Sequence, residues 1–141
     1  MEDDLLVSIT ADLGSVAVVP SHVETAYISQ HIALARPKRA IIHPRWLGFS
    51  VFSESCRNQL RSIGYGGTKV QLSLEDVQNL VLCLPPCEEQ DGMVLWLDDE
   101  VRRQTQVMQQ IHSSIDMLRE YRTALISAAV TGKIDVREEA S

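Results

Sequence analysis

The sequence predicts a mixed α/β protein: a small globular part, residues 1–86, then one long α-helix, residues 87–131, and a short tail, residues 132–141. Two observations lead to this prediction. Short apolar runs separated by glycine and proline fill the first half of the chain, as is typical of strands joined by turns. Apolar residues spaced three and four apart then continue without a break through most of the second half, as in coiled-coil helices.

The first elements are predicted to form a small sheet. Residues 5–10 have the pattern of a strand, a turn follows around Gly14, and residues 15–19 form a second strand that stops at Pro20, which together suggest a hairpin. A further extended segment is expected over residues 27–35. It ends before Pro37, because a residue that precedes proline is driven out of the helical region.

One amphipathic helix is predicted after Pro44, since apolar residues recur at near-helical spacing over residues 46–63. A glycine-rich loop and a short strand at residues 70–72 follow. Ser73 has the position of a helix cap, with acidic residues in the first turn behind it. Residues 81–84 are predicted to form a buried strand.

The long helix has clear signals at both ends. Pro85-Pro86 suits a helix start, where the missing N–H of proline costs nothing, and Glu88 and Glu89 place negative charge at the positive end of the helix dipole. Gly132 suits the left-handed conformation that terminates helices. The helix between Cys87 and Val130 would be about 65 Å long, so its apolar stripe needs a partner.

That stripe follows a heptad pattern. Its core positions are Val94, Leu97, Val101, Gln104, Met108, Ile111, Ile115, Leu118, Arg122, Leu125 and Ala129. Only Gln104 and Arg122 are strongly polar, so the sequence predicts a helix–helix interface with two polar layers.

Composition narrows the class of protein. No run of about 18 apolar residues is present and the chain begins with acidic residues, so neither a membrane span nor a secretory signal is expected, and we predict a cytoplasmic protein. The three cysteines do not have the spacing of a disulfide framework or a zinc site.

The net charge of −6 is unevenly distributed: residues 36–69 hold seven Lys or Arg against one Glu. This basic segment is either a phosphate-binding surface or an ordinary solvated one.

No pattern in the sequence predicts catalysis. The glycine-rich loop lacks the spacing of a Walker motif or of a dinucleotide-binding fingerprint, and the four histidines are scattered. Consecutive acids at Asp98-Asp99-Glu100 point in different directions on a helix, as expected of a solvated face. We therefore predict a protein without a catalytic residue, a bound metal or a cofactor.

Three segments resemble the specificity subunit of type I restriction-modification systems. They are LLVSITADLGSVAVVP at residues 5–20, NLVLCLPPCEEQ at residues 79–90 and YRTALISAAVTGKIDV at residues 121–136. In that family, two target-recognition domains each read half of a bipartite DNA site, and two antiparallel spacer helices between them bind the methyltransferase subunits. The resemblance implies that residues 1–86 are the later part of one recognition domain and residues 87–131 one spacer helix.

The resemblance also implies where DNA would lie. The residues it places near DNA are Arg36, Lys38, Arg39, Arg45, Tyr65, Gly66, Gly67, Thr68 and Lys69. Lys and Arg would contact phosphates, whereas Tyr65 and Thr68 are candidates for base-edge or groove contacts. The implied partners are double-stranded DNA, methyltransferase subunits and a restriction subunit.

One spacer helix where the family uses two predicts a symmetric homodimer. A parallel pair would place Arg122 against its own copy, which is unfavourable in an apolar seam. An antiparallel pair centred near Ser113 places Ile111 against Ile115 and Gln104 against Arg122. A slide of one heptad would set Gln104 against Ile115, at a cost of roughly 1–3 kcal/mol for each stranded polar group.

Two functions fit the sequence. The first is a DNA-recognition subunit, whole or half, that brings a methyltransferase to DNA. The second is a dimeric adaptor that keeps the helix and its methyltransferase contacts but has lost DNA reading.

Overall fold

The computed structural model describes residues 1–10, 12–23, 26–64 and 71–135. Its elements, in chain order, are β1 (Leu5–Ser8), β2 (Val16–Val18), β3 (Ile32–Ala35), α1 (Pro44–Phe52), α2 (Glu54–Gly64), α3 (Leu74–Gln78) and α4 (Cys87–Val130). The chain divides into two compact units, Met1–Trp96 and Leu97–Ser141. The mixed α/β class with one long helix is confirmed.

The three strands form one antiparallel sheet in the order β2-β1-β3. Leu5 of the central strand lies opposite Val18 on one side and Ala35 on the other. The predicted hairpin of β1 and β2 is therefore correct, and Gly14 in its turn has a φ of 81°, a conformation that glycine adopts without strain. The third strand is shorter than the predicted extended segment.

Buried and partly buried residues alternate along β1, and the buried ones show which face of the sheet lies against the core. Leu5 and Val7 are fully buried, whereas Leu6 and Ser8 are only partly buried. Helix α1 covers this buried face closely: a Cβ added at Gly48 would lie 3.1 Å from Cγ2 of Val18. The core cluster is Leu5, Val7, Ile9, Ala33, Val51, Leu60 and Leu72.

The prediction of one helix over residues 46–63 was wrong, because the helix breaks at Ser53. Ser53 has extended backbone angles, φ −60° and ψ 152°. Its hydroxyl donates to the carbonyl of Ser50 (2.6 Å) and accepts the backbone N–H of Cys56 (3.4 Å). A serine side chain competes with the helix for backbone partners in this way. It therefore ends α1 and caps α2 without changing the apolar spacing on which the prediction depended.

The prediction of a buried strand at residues 81–84 was also wrong: these residues form no strand, and Val81 is 74% exposed. Side chains rather than a neighbouring strand satisfy this backbone. The amide of Gln59 accepts the N–H of Val81 and donates to its carbonyl, both at 3.0 Å. The indole N–H of Trp46 donates to the carbonyl of Cys83 (3.2 Å).

The segment before α3 was predicted in part. Val70 lies outside the described residues, and Gln71 makes an isolated antiparallel bridge with Thr10 rather than a strand. The predicted cap at Ser73 is confirmed: its hydroxyl accepts the N–H of Asp76 (3.1 Å), and the Asp76 carboxylate accepts the N–H of Ser73 (2.7 Å). These reciprocal bonds form a capping box.

Helix α4 has the predicted ends. Two of its last carbonyls accept hydrogen bonds from residues beyond the helix. The N–H of Lys133 donates to the carbonyl of Ala128 (2.8 Å), and the N–H of Gly132 donates to that of Ala129 (3.1 Å). With φ 70° at Gly132, this is a Schellman motif. No helix among the described residues has both the length and the apolar character needed to cross a membrane.

Candidate nucleic-acid interface

The basic segment begins where two strands of the sheet lie side by side. Leu5 pairs with Ala35, so Asp4 and Arg36 are neighbours although they are 32 residues apart in the chain. Nε and Nη2 of Arg36 donate to the two carboxylate oxygens of Asp4, each at 2.7 Å. This fork geometry is the strongest form of an arginine–carboxylate pair. Asp4 is only 1% exposed, and its partner guanidinium is half exposed.

The hydrogen bonds from Arg36 hold the pKa of the Asp4 carboxyl far below its ordinary value, against the opposing effect of burial. A carboxyl whose pKa is lowered by folding stabilises the native state above its unfolded pKa of about 3.8, and this stability is lost as the pH falls below that value.

We expect Asp4→Asn to lower the free energy of unfolding by about 1–2 kcal/mol at pH 7, because a charge-assisted pair becomes a weaker neutral one. Urea unfolding followed by tryptophan fluorescence measures this. The difference from the unmodified protein should shrink when the same experiment is done below pH 4. A difference that stays constant down to pH 3 would contradict the role of the Asp4 carboxylate.

Arg39 is also engaged by an acid from the start of the chain, since Nη2 of Arg39 forms an ion pair with the carboxylate of Asp3. Asp3 has a positive φ of 66°, which is uncommon for a residue other than glycine. The local excess of positive charge is therefore smaller than the count over residues 36–69 suggests, because Asp3 and Asp4 come from outside that segment.

The remaining described cations predicted to contact DNA are Lys38 and Arg45, and both are exposed. The carbonyl of Lys38 accepts the N–H groups of Ile41 (2.8 Å) and Ile42 (3.0 Å), which turns the chain toward α1. His43 caps that helix, with Nδ1 accepting the N–H of Arg45 at 3.2 Å. These backbone contacts fix the positions from which both side chains extend.

Two arginines lie over aromatic rings, a feature that the sequence reasoning did not find. The guanidinium of Arg45 is 5.6 Å from the ring centre of Phe49, and that of Arg57 is 5.3 Å from the ring centre of Phe52. Cation–π contacts at this distance hold the charged group near the surface at modest energetic gain. The four-residue spacing of Arg45 and Phe49 on α1 was the available signal.

The other predicted DNA contacts, Tyr65, Gly66, Gly67, Thr68 and Lys69, lie outside the described residues. Among the residues that the structure does describe, no three His, Cys, Asp or Glu side chains are grouped as a metal site would need. The three cysteines are free thiols, with Cys56 buried and the other two exposed.

Gln90 connects the first turn of α4 to the segment before α1. Its Nε2 donates to the carbonyls of Ile41 (3.1 Å) and Pro85 (2.7 Å), and its Oε1 accepts the N–H of His43 (2.7 Å). The side chain is completely buried. Sequence reasoning used Gln90 only as part of a motif. It could not show that this amide is hydrogen-bonded to the N–H of His43 and to the carbonyls of Ile41 and Pro85, just before α1 and α4.

The predicted helix seam is exposed in the second unit. Val101, Met108, Ile111, Ile115, Leu118 and Leu125 have exposed fractions between 39% and 66%. Val94, by contrast, is buried within the first unit, at 4%. In the described structure the stripe from Val101 to Leu125 is thus exposed, which is unusual for so many large apolar side chains on one helix.

The described structure thus combines a small α/β unit that contains a basic segment with a long helix that has an exposed apolar stripe. Residues 1–117 match the family model of the type I restriction modification DNA specificity domain. The chain belongs to this family, as the three sequence segments suggested. No curated protein matches it significantly. Membership gives the chain the role of a specificity component in type I restriction-modification.

Proposed function

We propose that this chain acts as a DNA-recognition component of a type I restriction-modification system, binding double-stranded DNA through its first unit and docking methyltransferase subunits, with no catalytic residue of its own. The family match over residues 1–117 is the main support, because it includes both the basic segment and more than half of α4. A restriction subunit is a further partner of the same assembly. Lys38 and Arg45 would contact phosphates, together with the loop at residues 65–69.

Assembly would occur through α4, as an antiparallel homodimer. Leu97, Val101, Gln104, Met108, Ile111, Ile115, Leu118, Arg122, Leu125 and Ala129 would form the interface; Val94 is left out because the first unit already buries it. Centring the pair near Ser113 matches Gln104 with Arg122 and Ile111 with Ile115. The exposure of the apolar members supports this, since pairing would remove them from water.

A second apolar stripe favours a further partner beside the helix pair. Val107 and Tyr121 lie next to the core positions on one flank, Met117 lies one position further out on the same side, and all three are about half exposed or more. The opposite flank carries Thr105 and Arg119 instead. A stripe wider than the two-residue seam of a simple coiled coil is typical of helices in larger bundles. We assign this flank to the methyltransferase subunits.

DNA binding is tested with the purified protein by measuring affinity for duplex DNA over a range of salt concentrations. Lys38→Ala should weaken binding and make the plot of log K against log salt less steep by about two units, because each copy in the proposed dimer loses one phosphate contact. Lys133→Ala is the matched control, because Lys133 follows the end of α4 and should leave the slope unchanged. Equal slopes for Lys38→Ala and the unmodified protein would contradict the assignment.

The helix register is tested by a cysteine placed at one of two adjacent serines. In an antiparallel pair centred near Ser113, both copies of Ser114 flank the interface, whereas Ser113 points outward. Mild oxidation should therefore link Ser114→Cys into a covalent dimer far faster than Ser113→Cys, read on a non-reducing gel with the three native cysteines replaced by serine. Equal linkage at the two positions would exclude this register.

The adaptor function remains a second candidate, and the pairing of Arg36 with Asp4 and of Arg39 with Asp3 favours it. Two of the four described cations predicted to contact DNA are then partly neutralised. If the dimer binds methyltransferase but neither the dimer nor that complex shifts DNA at low salt, the adaptor function is the correct one.

A further inference from the structure

Arg57 on α2 differs from the other arginines of the basic segment in what its charged group contacts. Three of those arginines form ion pairs with acids: Arg36 with Asp4, Arg39 with Asp3 and Arg61 with Glu54. The guanidinium of Arg57 instead lies over the ring of Phe52, 5.3 Å from the ring centre. Among the described residues it has no carboxylate partner, so its N–H donors can still take an anionic acceptor.

The helix break at Ser53 makes this contact possible. In a continuous α-helix, residues five positions apart are about 140° apart around the axis, so the two side chains would point in different directions. The extended backbone of Ser53 ends α1 directly after Phe52 and lets α2 begin with a new direction. The break therefore brings together an aromatic ring from one helix and a guanidinium from the next.

The aliphatic stem of Arg57 is also held, because it packs against the turn between β1 and β2. A Cβ added at Gly14 would lie 3.6 Å from Cγ of Arg57. The N–H of Gly14 donates to the carbonyl of Ser8 (3.2 Å), which fixes this turn. Asp12, an acidic residue of the same turn, accepts a hydrogen bond from the hydroxyl of Ser15. The turn and the Phe52 ring thus restrict Arg57, and less side-chain entropy remains to be lost on binding.

We propose that Arg57 contacts a DNA phosphate, with the ring of Phe52 holding its guanidinium in place, so that α2 is part of the DNA-binding surface. This inference deepens the proposed function and rests on it, since the ligand is the backbone of the same duplex. Guanidinium groups donate to phosphate oxygens in a fork geometry. Arg36 would have to leave a carboxylate to do so, whereas Arg57 has no such partner to exchange.

Affinity for duplex DNA over a range of salt concentrations tests the charge of Arg57. Arg57→Gln should make the plot of log K against log salt less steep by about two units, as for Lys38→Ala, because each copy in the proposed dimer loses one phosphate contact. Arg57→Lys keeps the charge and should restore the slope. Arg61→Gln is the matched control: it removes the same charge one turn further along α2, where Glu54 already binds the guanidinium (3.2 Å). It should change the slope by less than half as much.

The role of the ring is tested by Phe52→Leu, which keeps every charge. The salt slope should stay the same, whereas the affinity at fixed salt should fall by about fivefold or more, because each copy must then order the arginine on binding. A measurement on the unmodified protein does not depend on the folding of a variant. Duplex DNA should slow the reaction of phenylglyoxal with Arg57, read by mass spectrometry of the peptides, much more than its reaction with Arg61.

Failure of this inference is distinguishable from failure of the proposed function. If the protein binds DNA and Lys38→Ala lowers the salt slope, but Arg57→Gln leaves it unchanged or Arg61→Gln lowers it equally, Arg57 is not a phosphate contact and the proposed function stands. The same conclusion follows if DNA does not protect Arg57 from phenylglyoxal. Equal affinities of Phe52→Leu and the unmodified protein would refute the role of the ring. If the unmodified protein binds no duplex DNA at low salt, both the inference and the DNA-binding function are wrong.

Discussion

Replacing Gln90 with alanine should lower the free energy of unfolding of the first unit by about 3 kcal/mol. The substitution removes three hydrogen bonds at once, and each has a net value of about 1 kcal/mol. The N–H of His43 is affected most, because it would lose the only hydrogen-bond acceptor that the described structure gives it. The loss is measured by urea unfolding, with Trp46 and Trp96 as fluorescent probes.

Gln106→Ala is the matched control, since it makes the same change at an exposed position of the same helix. That substitution should change the stability by no more than about 0.5 kcal/mol, as is usual at the surface. Similar stability losses for the two variants would show that Gln90 contributes only helix propensity. Gln90→Glu separates the contribution of the acceptor oxygen from that of the donor N–H groups. It keeps an acceptor for the N–H of His43 but loses both amide N–H donors, so it too should be destabilised.

The second large effect concerns the helix seam. Ile111→Glu should convert the proposed dimer to a monomer, because the change introduces two carboxylates, one from each copy, into layers where Ile111 meets Ile115. Burying an unpaired charge among apolar side chains costs several kcal/mol, so the dimer dissociation constant should rise by about 100-fold or more. Sedimentation velocity over a range of protein concentrations measures the change.

Glutamate is a good helix former, so α4 should persist in Ile111→Glu, and far-ultraviolet circular dichroism checks this. Ser113→Glu is the control: it adds the same charge two residues away, on the outward face, and should remain dimeric. Dissociation of both variants would indicate a general charge effect. A dimer that survives Ile111→Glu would show that this face of α4 is not the interface.

The parts of the fold that local signals determine were predictable. The ends of α4 were correct because Pro86 and Gly132 act on the backbone next to them, and the Ser73 cap involves residues only three apart. The break at Ser53 was missed because periodicity measures which side chains are apolar, and both α1 and α2 keep that spacing across the break. Periodicity does not show that the hydroxyl of Ser53 forms hydrogen bonds with backbone groups of both helices.

Long-range partners explain the remaining errors. An apolar run such as residues 81–84 looks like a strand, but whether it pairs depends on a free edge, and here the Gln59 amide takes that place. The basic segment was found from composition, and the family resemblance indicated which of its residues would lie near DNA. Their acidic partners were not found, because Asp4 meets Arg36 only through the pairing of β1 with β3. The burial of Gln90 likewise depends on packing between distant segments.

The apolar stripe of α4 has a consequence for the genome that this protein would act on. If two identical chains join through that stripe, a two-fold axis relates their recognition surfaces, and each must read the same letters on opposite strands. The target would then be an inverted repeat, with the same base sequence on both strands. One amino-acid substitution in the recognition unit would change the preference for both half-sites at once, so a new sequence preference could arise in a single step.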